Sequence, residues 1–385
     1  MAAFRADLED DGVFYTREPH TPKAAFNGEA SGAAARPIVT LTAAKDLKAV
    51  PINWIWPGWL ACGKLHVLGG QPGTGKTTIA MKLAAVISGG GTWPDGRFSP
   101  VGNVVIWSGE DDPADTLLPR LLAAGADPER VFFVTGVEEA GEERPFDPAK
   151  DMGALRATIV AVPNVKLIVC DPIVSAVAGD SHKNAETRRA LAPLVELAAD
   201  RGAALVGITH FSKGTSGREP VERITGSLAF GALARVVMVA AKDADNEDGT
   251  AGRRIFARAK SNIGPDDGGF AYRLDQVPMP GDERIVASVV TFGDPIEGSA
   301  RDMLAAAEAQ PEDGQHGSAL ADAEAFLLDH LLEGPSPAKK VKAAAAQAGL
   351  AWITVRRAKD RLKVAARKDG MDAGWTWSLP EGAQG

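Results

Sequence analysis

Short apolar runs alternate with amphipathic stretches through most of the chain. The runs with the length and polar boundaries of buried strands are residues 64–68, 101–108, 130–136, 166–171, 203–210 and 234–242. Apolar residues at helical spacing predict helices at 76–88, 112–125, 151–162 and 185–202. Alternating strands and helices are typical of a mostly parallel sheet with helices on both faces. The pattern therefore predicts an α/β fold.

The pattern changes on both sides of this core. The first residues mix glycine, alanine, proline and charges without a period, which predicts a flexible tail. Near the end of the core, 253–261 and 268–275 predict a hairpin added to the sheet. A small, polar stretch then predicts a linker. The predicted segments are a tail at 1–49, a core at 50–296, a linker at 297–318 and a second domain at 319–385.

Composition narrows the class of protein. Of 385 residues, 45% are hydrophobic and 24% are charged, as in globular proteins. Cys62 and Cys170 both lie in apolar runs, which predicts buried, reduced thiols of a cytoplasmic protein. We expect no signal peptide and no membrane span, because the start is acidic and the apolar runs are shorter than the ~20 residues of a spanning helix. The net charge of −8 excludes a broadly basic surface but allows local basic patches.

The stretch GGQPGTGKTT carries the strongest chemical signal. Gly70, Gly75, Lys76 and Thr77 fit the phosphate-loop pattern, with a predicted strand before and a helix after. Glycines let backbone N–H groups turn toward phosphate oxygens, and the helix N-terminus adds partial positive charge. Lys76 would contact the β- and γ-phosphates, and Thr77 would bind Mg²⁺. The predicted nucleotide-binding residues of this loop are Gly70, Gln71, Pro72, Gly73, Thr74, Gly75, Lys76, Thr77 and Thr78. The alternative is a glycine-rich turn that binds nothing.

Polar residues at other strand ends supply candidate catalytic groups. Asp171 ends KLIVCD and would hold Mg²⁺ at the edge where parallel strands end, or would cap the next turn. Glu110 is the first acid after VVIWSG and is the candidate general base. Asp111 and Asp112 are candidate caps of the following helix. His210 ends AALVGITH and would sense the γ-phosphate as a neutral imidazole, or would be an ordinary polar strand end.

The stretches GGQPGTGKTT, WSGEDD, LIVCDP, ITHFSKG and RITGSLAFGALARVVMV together resemble the RecA-like ATPase core, and most closely the RepA-type hexameric helicases of plasmids and phages. The resemblance covers about residues 50–296. It implies ATP and Mg²⁺ as cofactors and a homo-oligomer, a hexamer, with ATP bound between subunits.

The same resemblance supplies two basic residues. Arg235 lies where the family carries an arginine finger contributed by the neighbouring subunit, and Lys260 lies where related helicases place a second basic finger that would bind the nucleotide. Asn262 stands where those helicases often carry an arginine. The alternatives are a salt-bridged surface arginine for Arg235 and an ordinary hairpin lysine for Lys260.

Two segments are candidates for nucleic-acid contact. Residues 212–223, SKGTSGREPVER, follow His210 directly; in RecA-like rings the matching loop lines the channel and grips single-stranded DNA. Its predicted phosphate contacts are Lys213, Arg218 and Arg223, with a solvated loop as the alternative. The second domain resembles a winged helix-turn-helix, although such domains also bind proteins. Its basic helix at about 352–363 predicts duplex DNA contacts by Arg356, Arg357 and Lys359.

These signals together predict an ATP-driven DNA helicase or translocase that acts in plasmid, phage or mobile-element replication. Two alternatives stay open at this point. One is a recombinase-like, DNA-dependent ATPase that forms filaments, and the other is an ATP-switched DNA-binding regulator.

Overall fold

The computed structural model describes residues 39–179, 181, 183–224, 228–243, 252–279, 281–308, 316–350, 352–368 and 375–380. The chain divides into two units, Met1–Val50 and Pro51–Gly385. In the first unit, the described residues are exposed and contain one 3₁₀ turn at Ala44–Asp46. All sheets and α-helices reported below belong to the second unit.

Strands and helices alternate along the second unit as the apolar pattern predicts. The described strands are β1 Trp54–Trp56, β2 Leu60–Ala61, β3 Leu65–Gly70, β4 Asn103–Ser108, β5 Val131–Phe133, β6 Val137–Glu139, β7 Glu142–Arg144, β8 Val165–Asp171, β9 Ala204–Ile208, β10 Val236–Lys242, β11 Arg254–Ser261, β12 Gly269–Met279, β13 Asp282–Ile296, β14 Ser336–Pro337, β15 Ala365–Lys368 and β16 Trp375–Ser378. The α-helices are α1 Lys76–Gly89, α2 Leu118–Ala123, α3 Met152–Ile159, α4 Asn184–Arg201, α5 Leu228–Leu233, α6 Ala300–Glu308, α7 His316–Leu332, α8 Ala338–Gln347 and α9 Trp352–Arg361. Among the described helices, none has both the length and the apolar character needed to cross a membrane.

A nine-stranded sheet organises the second unit. Its order is β13-β12-β11-β10-β3-β9-β8-β4-β5, and neighbours from β10 to β5 run parallel. The strands β11, β12 and β13 extend it as an antiparallel meander, so the predicted hairpin is real but gains a third strand. Buried residues of α1 and α2 pack on one face, and those of α4, α5 and α6 pack on the other. The α/β prediction with a mostly parallel sheet is therefore confirmed.

The predicted linker is wrong over part of its length. Residues 300–308 form α6, whose Met303, Leu304 and Ala307 are buried against the core. The sequence hid this helix because its buried face is mostly alanine, which reads as a small, polar stretch beside its charged residues. Residues 309–315 lie outside the described part of the chain.

The residues after 316 form a small cluster of their own. Helices α7, α8 and α9 surround an apolar cluster that includes Leu327, Val341 and Val355. Strands β14, β16 and β15 form an antiparallel sheet beside them. Trp377 stacks on Trp352 with their ring centroids 5.2 Å apart. Three helices and a small antiparallel sheet are compatible with the predicted winged helix-turn-helix, which stays a prediction.

His66 ties three strands together at the start of β3. Its side chain is fully buried, its Nε2 accepts a hydrogen bond from the Ala61 amide at 2.9 Å, and its Nδ1 donates to the Leu205 carbonyl at 3.1 Å. This pattern requires the neutral ring with its proton on Nδ1. Burial lowers the pKa of His66 from 6.5 to about 4. The fold therefore holds an imidazole that resists protonation.

We predict that His66 makes the protein lose stability on mild acidification. Below pH 6.5 an unfolded histidine binds a proton that the folded one accepts only near pH 4, so the free energy of unfolding falls as the pH drops through this window. The maximum slope for one proton is about 1.4 kcal/mol per pH unit. Urea unfolding of wild type and His66→Gln at pH 7.5, 6 and 5 measures it. The variant should be less stable at pH 7.5 but lose less on acidification, and an equal loss in both proteins would contradict the prediction.

Candidate nucleotide-binding site

The phosphate loop joins the end of β3 to the start of α1. Gly73 and Gly75 have φ angles of +74° and +87°, the left-handed region that favours glycine. A Cβ atom at Gly70 would lie 2.4 Å from the Ala240 carbonyl oxygen of the neighbouring strand β10. Steric constraints therefore favour glycine at all three positions. The loop also has the strand-to-helix context that the sequence predicted.

Strand β12 supports this loop from a distant part of the sequence. The buried hydroxyl of Tyr272 donates to the Thr74 carbonyl at 2.6 Å. The side chain of Leu274 lies where a Cβ at Gly75 would have to go, with 2.7 Å between them. Sequence reasoning identified a strand here but missed its contact with the loop, because nothing local in GGFAYRLD signals a partner almost two hundred residues earlier.

Lys76 holds its ammonium group inside the loop. Its Nζ donates to the Gly70 and Gln71 carbonyls, each at 3.1 Å, and to Nδ1 of His210 at 3.2 Å. Burial lowers the pKa of Lys76 to about 8, against the opposing effect of Asp171 and Glu110. Neutral groups thus make the direct contacts of a buried cation, and phosphate oxygens would compensate that charge far better.

Thr77 and Asp171 meet at the next position of α1. The Thr77 hydroxyl donates to Oδ2 of Asp171 at 2.7 Å, where β8 ends. The pKa of the Asp171 carboxyl is raised to about 6, chiefly by burial, with smaller contributions from the nearby Glu110 and Asp111. A hydroxyl and a carboxylate are hard oxygen ligands, and Mg²⁺ characteristically combines one or two such groups with phosphates and water. The residues present therefore fit Mg²⁺, whose charge would offset the buried carboxylate.

The three acids after β4 have separate partners. Asp112 accepts hydrogen bonds from the Ala114 and Asp115 amides and caps the π-helical turn Pro113–Leu117, as its predicted capping role requires. Asp111 pairs with Arg120 at 2.9 Å instead of capping. The remaining acid, Glu110, faces the phosphate-loop side.

Glu110 and Lys76 lie on opposite sides of the His210 ring. Oε1 of Glu110 is 3.8 Å from Nε2 of His210, and the ammonium of Lys76 contacts the other ring nitrogen. Burial, and next Lys76, lower the pKa of His210, so the ring is neutral near pH 7. Strand β9 leads into His210 and neighbours β8, which ends at Asp171. The sheet thus brings Lys76, Thr77, Glu110, Asp171 and His210 to one edge.

Arg235 lies at the opposite end of the parallel strands, just before β10 begins. Strand β10 runs parallel to β3, with Val236 beside His66 and Ala240 beside Gly70. Arg235 precedes β10, donates its amide to Leu65 and has an exposed side chain. At about 3.3 Å per strand residue, it lies roughly 17 Å along the sheet from the phosphate loop of its own chain. The side chain of Arg235 is therefore not part of the site that the phosphate loop of its own chain forms.

Lys260 occupies the same edge but is engaged inside the protein. Its ammonium donates to the Gly231 carbonyl at 2.7 Å and to the Ala234 carbonyl at 3.3 Å, which satisfies the end of α5. Burial, with a contribution from Arg235, lowers the pKa of Lys260. This geometry favours the structural alternative over a second nucleotide-binding finger.

The three cations of the basic loop after His210 differ in exposure. Lys213 and Arg218 are exposed, as nucleic-acid contacts must be. Arg223 is 1% exposed and pairs with Glu308 at 2.6 Å, so its predicted contact with nucleic acid is wrong. Its guanidinium points inward because an aromatic ring and a carboxylate of the protein itself receive it.

The basic residues of α9 also have partners in this structure. Arg356 donates to the Glu297 carbonyl, and the ammonium of Lys359 lies 5.4 Å from the centre of the Trp377 ring. The side chain of Arg357 lies outside the described residues. Duplex contact by these three residues stays a prediction.

Comparison with known proteins bears on part of this chain. Residues 34–216 match a family model described as an AAA domain. The matched range contains Lys76, Glu110, Asp171 and His210, and it ends before Arg235. No curated protein matches the chain. Among solved structures, the crystal structure of the RadB recombinase is similar at 20% identity and a TM-score of 0.41, over 61% of this chain and 94% of that one. The AAA-domain match and the geometry of the loop together support an ATPase-like, nucleotide-binding core.

We predict that Asp171→Asn stabilises the nucleotide-free protein while abolishing its response to Mg²⁺. At pH 7.5 the carboxyl is ionised in both the folded and the unfolded state, and its raised folded pKa means that folding is penalised by on the order of 1–3 kcal/mol. This penalty falls as the pH drops through about 6. Asparagine keeps an acceptor for Thr77 without the charge.

Thermal unfolding without nucleotide measures the first effect, and thermal unfolding with ADP, with and without Mg²⁺, measures the second. The matched control is Asp112→Asn, which keeps a good helix cap and should respond to Mg²⁺ as wild type does. An Asp171→Asn protein that gains as much stability from Mg²⁺ as wild type would refute the metal assignment.

Proposed function

We propose that this protein is an ATP-dependent DNA helicase or translocase with a RecA-like core, similar to RepA-type ring ATPases, which acts in plasmid, phage or mobile-element replication. The observation that carries the proposal is the placement of His210. One nitrogen of its ring contacts Lys76 of the phosphate loop, Glu110 lies beside the other nitrogen, and the next residues form the exposed basic loop. A change at the ATP phosphates therefore has a direct route to a nucleic-acid contact.

The residues of the site divide the chemistry of ATP hydrolysis between them. The ammonium of Lys76 would exchange its carbonyl partners for β- and γ-phosphate oxygens, beside the amides of the loop. Thr77 and Asp171 would hold Mg²⁺, which supplies charge neutralisation on the phosphates. Glu110 would orient the attacking water and accept its proton. Neutral His210 would donate a hydrogen bond toward the γ-phosphate and lose that partner after cleavage.

Arg235 is the part of the machinery that a single chain lacks at its own site. Phosphoryl transfer develops charge on the equatorial oxygens, and an arginine finger can accelerate it about 10³–10⁵-fold. Because Arg235 is exposed at the far edge of the sheet, it would complete the site of a neighbouring copy. Such a head-to-tail contact closes into a ring when its rotation permits. We propose a hexameric ring on this basis.

Nucleic acid would contact the exposed cations of the loop. Lys213 and Arg218 are placed to pair with backbone phosphates of single-stranded DNA in the channel of the ring. Duplex binding by the small domain would use Arg356, Arg357 and Lys359. It would require Arg356 and Lys359 to leave their present contacts with the Glu297 carbonyl and the Trp377 ring.

We predict that Arg235→Ala binds ATP like wild type but hydrolyses it at least about 100-fold more slowly, because the finger is missing from every interface. Mixing it with Lys76→Ala subunits should partly restore hydrolysis, since these supply an intact Arg235 to sites with an intact Lys76. ATP turnover with single-stranded DNA, over a range of mixing ratios, measures this. Arg156→Ala removes an exposed arginine of α3 and serves as the control. Wild-type turnover by Arg235→Ala, or no gain on mixing, would rule out a shared site.

A strand-displacement assay with ATP and Mg²⁺ distinguishes the proposed motor from its alternatives. A helicase separates a forked duplex, whereas an ATP-switched regulator binds the duplex and leaves it paired. Electron microscopy with ATP and single-stranded DNA then separates rings from the filaments of a recombinase-like ATPase.

A further inference from the structure

The loop that follows His210 has a closed and ordered base. We call residues 211–224 the sensor loop. Phe211 and Ile224 pair across an antiparallel bridge, and the Ser212 amide donates to the Arg223 carbonyl at 2.7 Å. The exposed cations Lys213 and Arg218 therefore extend from a stem whose two strands are joined.

This stem is attached directly to the strand that carries the phosphate loop. The Gly70 carbonyl accepts hydrogen bonds from both the ammonium of Lys76, at 3.1 Å, and the amide of Phe211, at 3.2 Å. A Cβ atom at Gly69 would lie 3.2 Å from the Phe211 ring, so the ring packs against the strand backbone. If Lys76 moves to a phosphate, the Gly70 carbonyl loses one of its two donors. The remaining hydrogen bond, from the Phe211 amide, carries this change to the stem.

An ion pair between buried Arg223 and half-buried Glu308 fixes the other side of the stem. The guanidinium of Arg223 lies 4.4 Å from the centre of the Phe211 ring and donates to Oε1 of Glu308 at 2.6 Å. The second carboxylate oxygen of Glu308 accepts from the Ser216 hydroxyl at 2.8 Å. Glu308 is the last residue of α6, whose Met303 is buried in the core. Glu308 thus links the sensor loop to a helix that packs on the core.

We propose that Arg223 and Glu308 are a positioning pair that holds the sensor loop against the phosphate-loop strand, and thereby couples nucleic-acid contact at Lys213 and Arg218 to ATP turnover at Lys76 and His210. This inference rests on the proposed function. Phe211 is clamped between the Gly70 carbonyl on one side and Arg223 on the other, so displacement of the loop tip reaches His210 through one residue. Without the clamp, each end of the loop moves independently.

Coupling of this kind is reciprocal. If single-stranded DNA accelerates hydrolysis through the stem, an ATP analogue must tighten the binding of single-stranded DNA through the same contacts. Coupling between two sites typically corresponds to a 5- to 150-fold effect. Removal of the pair should therefore weaken both the stimulation of hydrolysis by DNA and the tightening of DNA binding by an ATP analogue. The ATP site and the DNA contacts should each stay intact.

The test is the double variant Arg223→Met/Glu308→Leu, which replaces this largely buried ion pair by apolar groups of similar size and so preserves packing. We expect its basal kcat and its KM for ATP to stay within about twofold of wild type. Stimulation by single-stranded oligothymidine should fall about 5-fold or more, and a non-hydrolysable ATP analogue should no longer tighten oligothymidine binding.

Two further variants make the result specific. Arg301→Ala removes a second ion pair between α6 and the sensor loop, Arg301–Glu219 at 2.6 Å, but both side chains are more than half exposed. Exposed pairs contribute little, so stimulation should stay near wild type. Glu308→Gln keeps the shape of the Glu308 side chain and removes its charge. If the double variant does not fold, the ratio of DNA-stimulated to basal ATP turnover in Glu308→Gln tests the proposal instead.

The outcomes separate this inference from the proposed function. If wild type is stimulated and the double variant is stimulated equally, the positioning pair is wrong and the proposed function stands. If the variant loses basal turnover and stimulation in parallel, the pair is structural and the inference is also wrong. If nucleic acid fails to stimulate wild type, both proposals fail.

Discussion

Two buried opposite charges, at the carboxyl ends of the parallel strands, determine what kind of ligand the site can bind. The ammonium of Lys76 is folded onto backbone carbonyls, and the carboxylate of Asp171 is held by a hydroxyl. Burial lowers the pKa of Lys76 and raises the pKa of Asp171, so it favours the neutral form of each group. Charges removed from water with incomplete compensation favour a ligand that brings the opposite charges. A nucleotide phosphate with Mg²⁺ has that composition.

The parallel register of the sheet is what brings these groups together. Strands β3, β9, β8 and β4 run in the same direction, so their carboxyl ends deliver Lys76, His210, Asp171 and Glu110 to one edge. The same geometry sends Arg235 to the opposite edge, because it precedes its strand instead of following it. One rule of strand direction thus explains why Lys76, His210, Asp171 and Glu110 lie together and why Arg235 lies far from them.

Local patterns predicted what depends on local sequence. Apolar runs located the parallel strands of the large sheet to within a few residues, and glycine spacing located the phosphate loop. Arg223 shows the limit: a charged residue in a polar loop carries no local sign that Phe211 and the distant Glu308 receive it. Helix α6 was missed because alanine contributes little to an apolar pattern yet packs well. Tyr272 was missed because its partner is set by the fold of the antiparallel strands.

The hydrogen bond from Tyr272 to Thr74 has a consequence for what counts as a domain here. The stretch that matches the AAA-domain model ends at residue 216, before β10 and β12. Cutting the chain there would leave β3 as an open edge strand and the phosphate loop without its buttress. The smallest excisable or transplantable piece that retains the geometry of the loop must run through β12, so the stretch that resembles the AAA-domain model is shorter than the stretch that supports the loop.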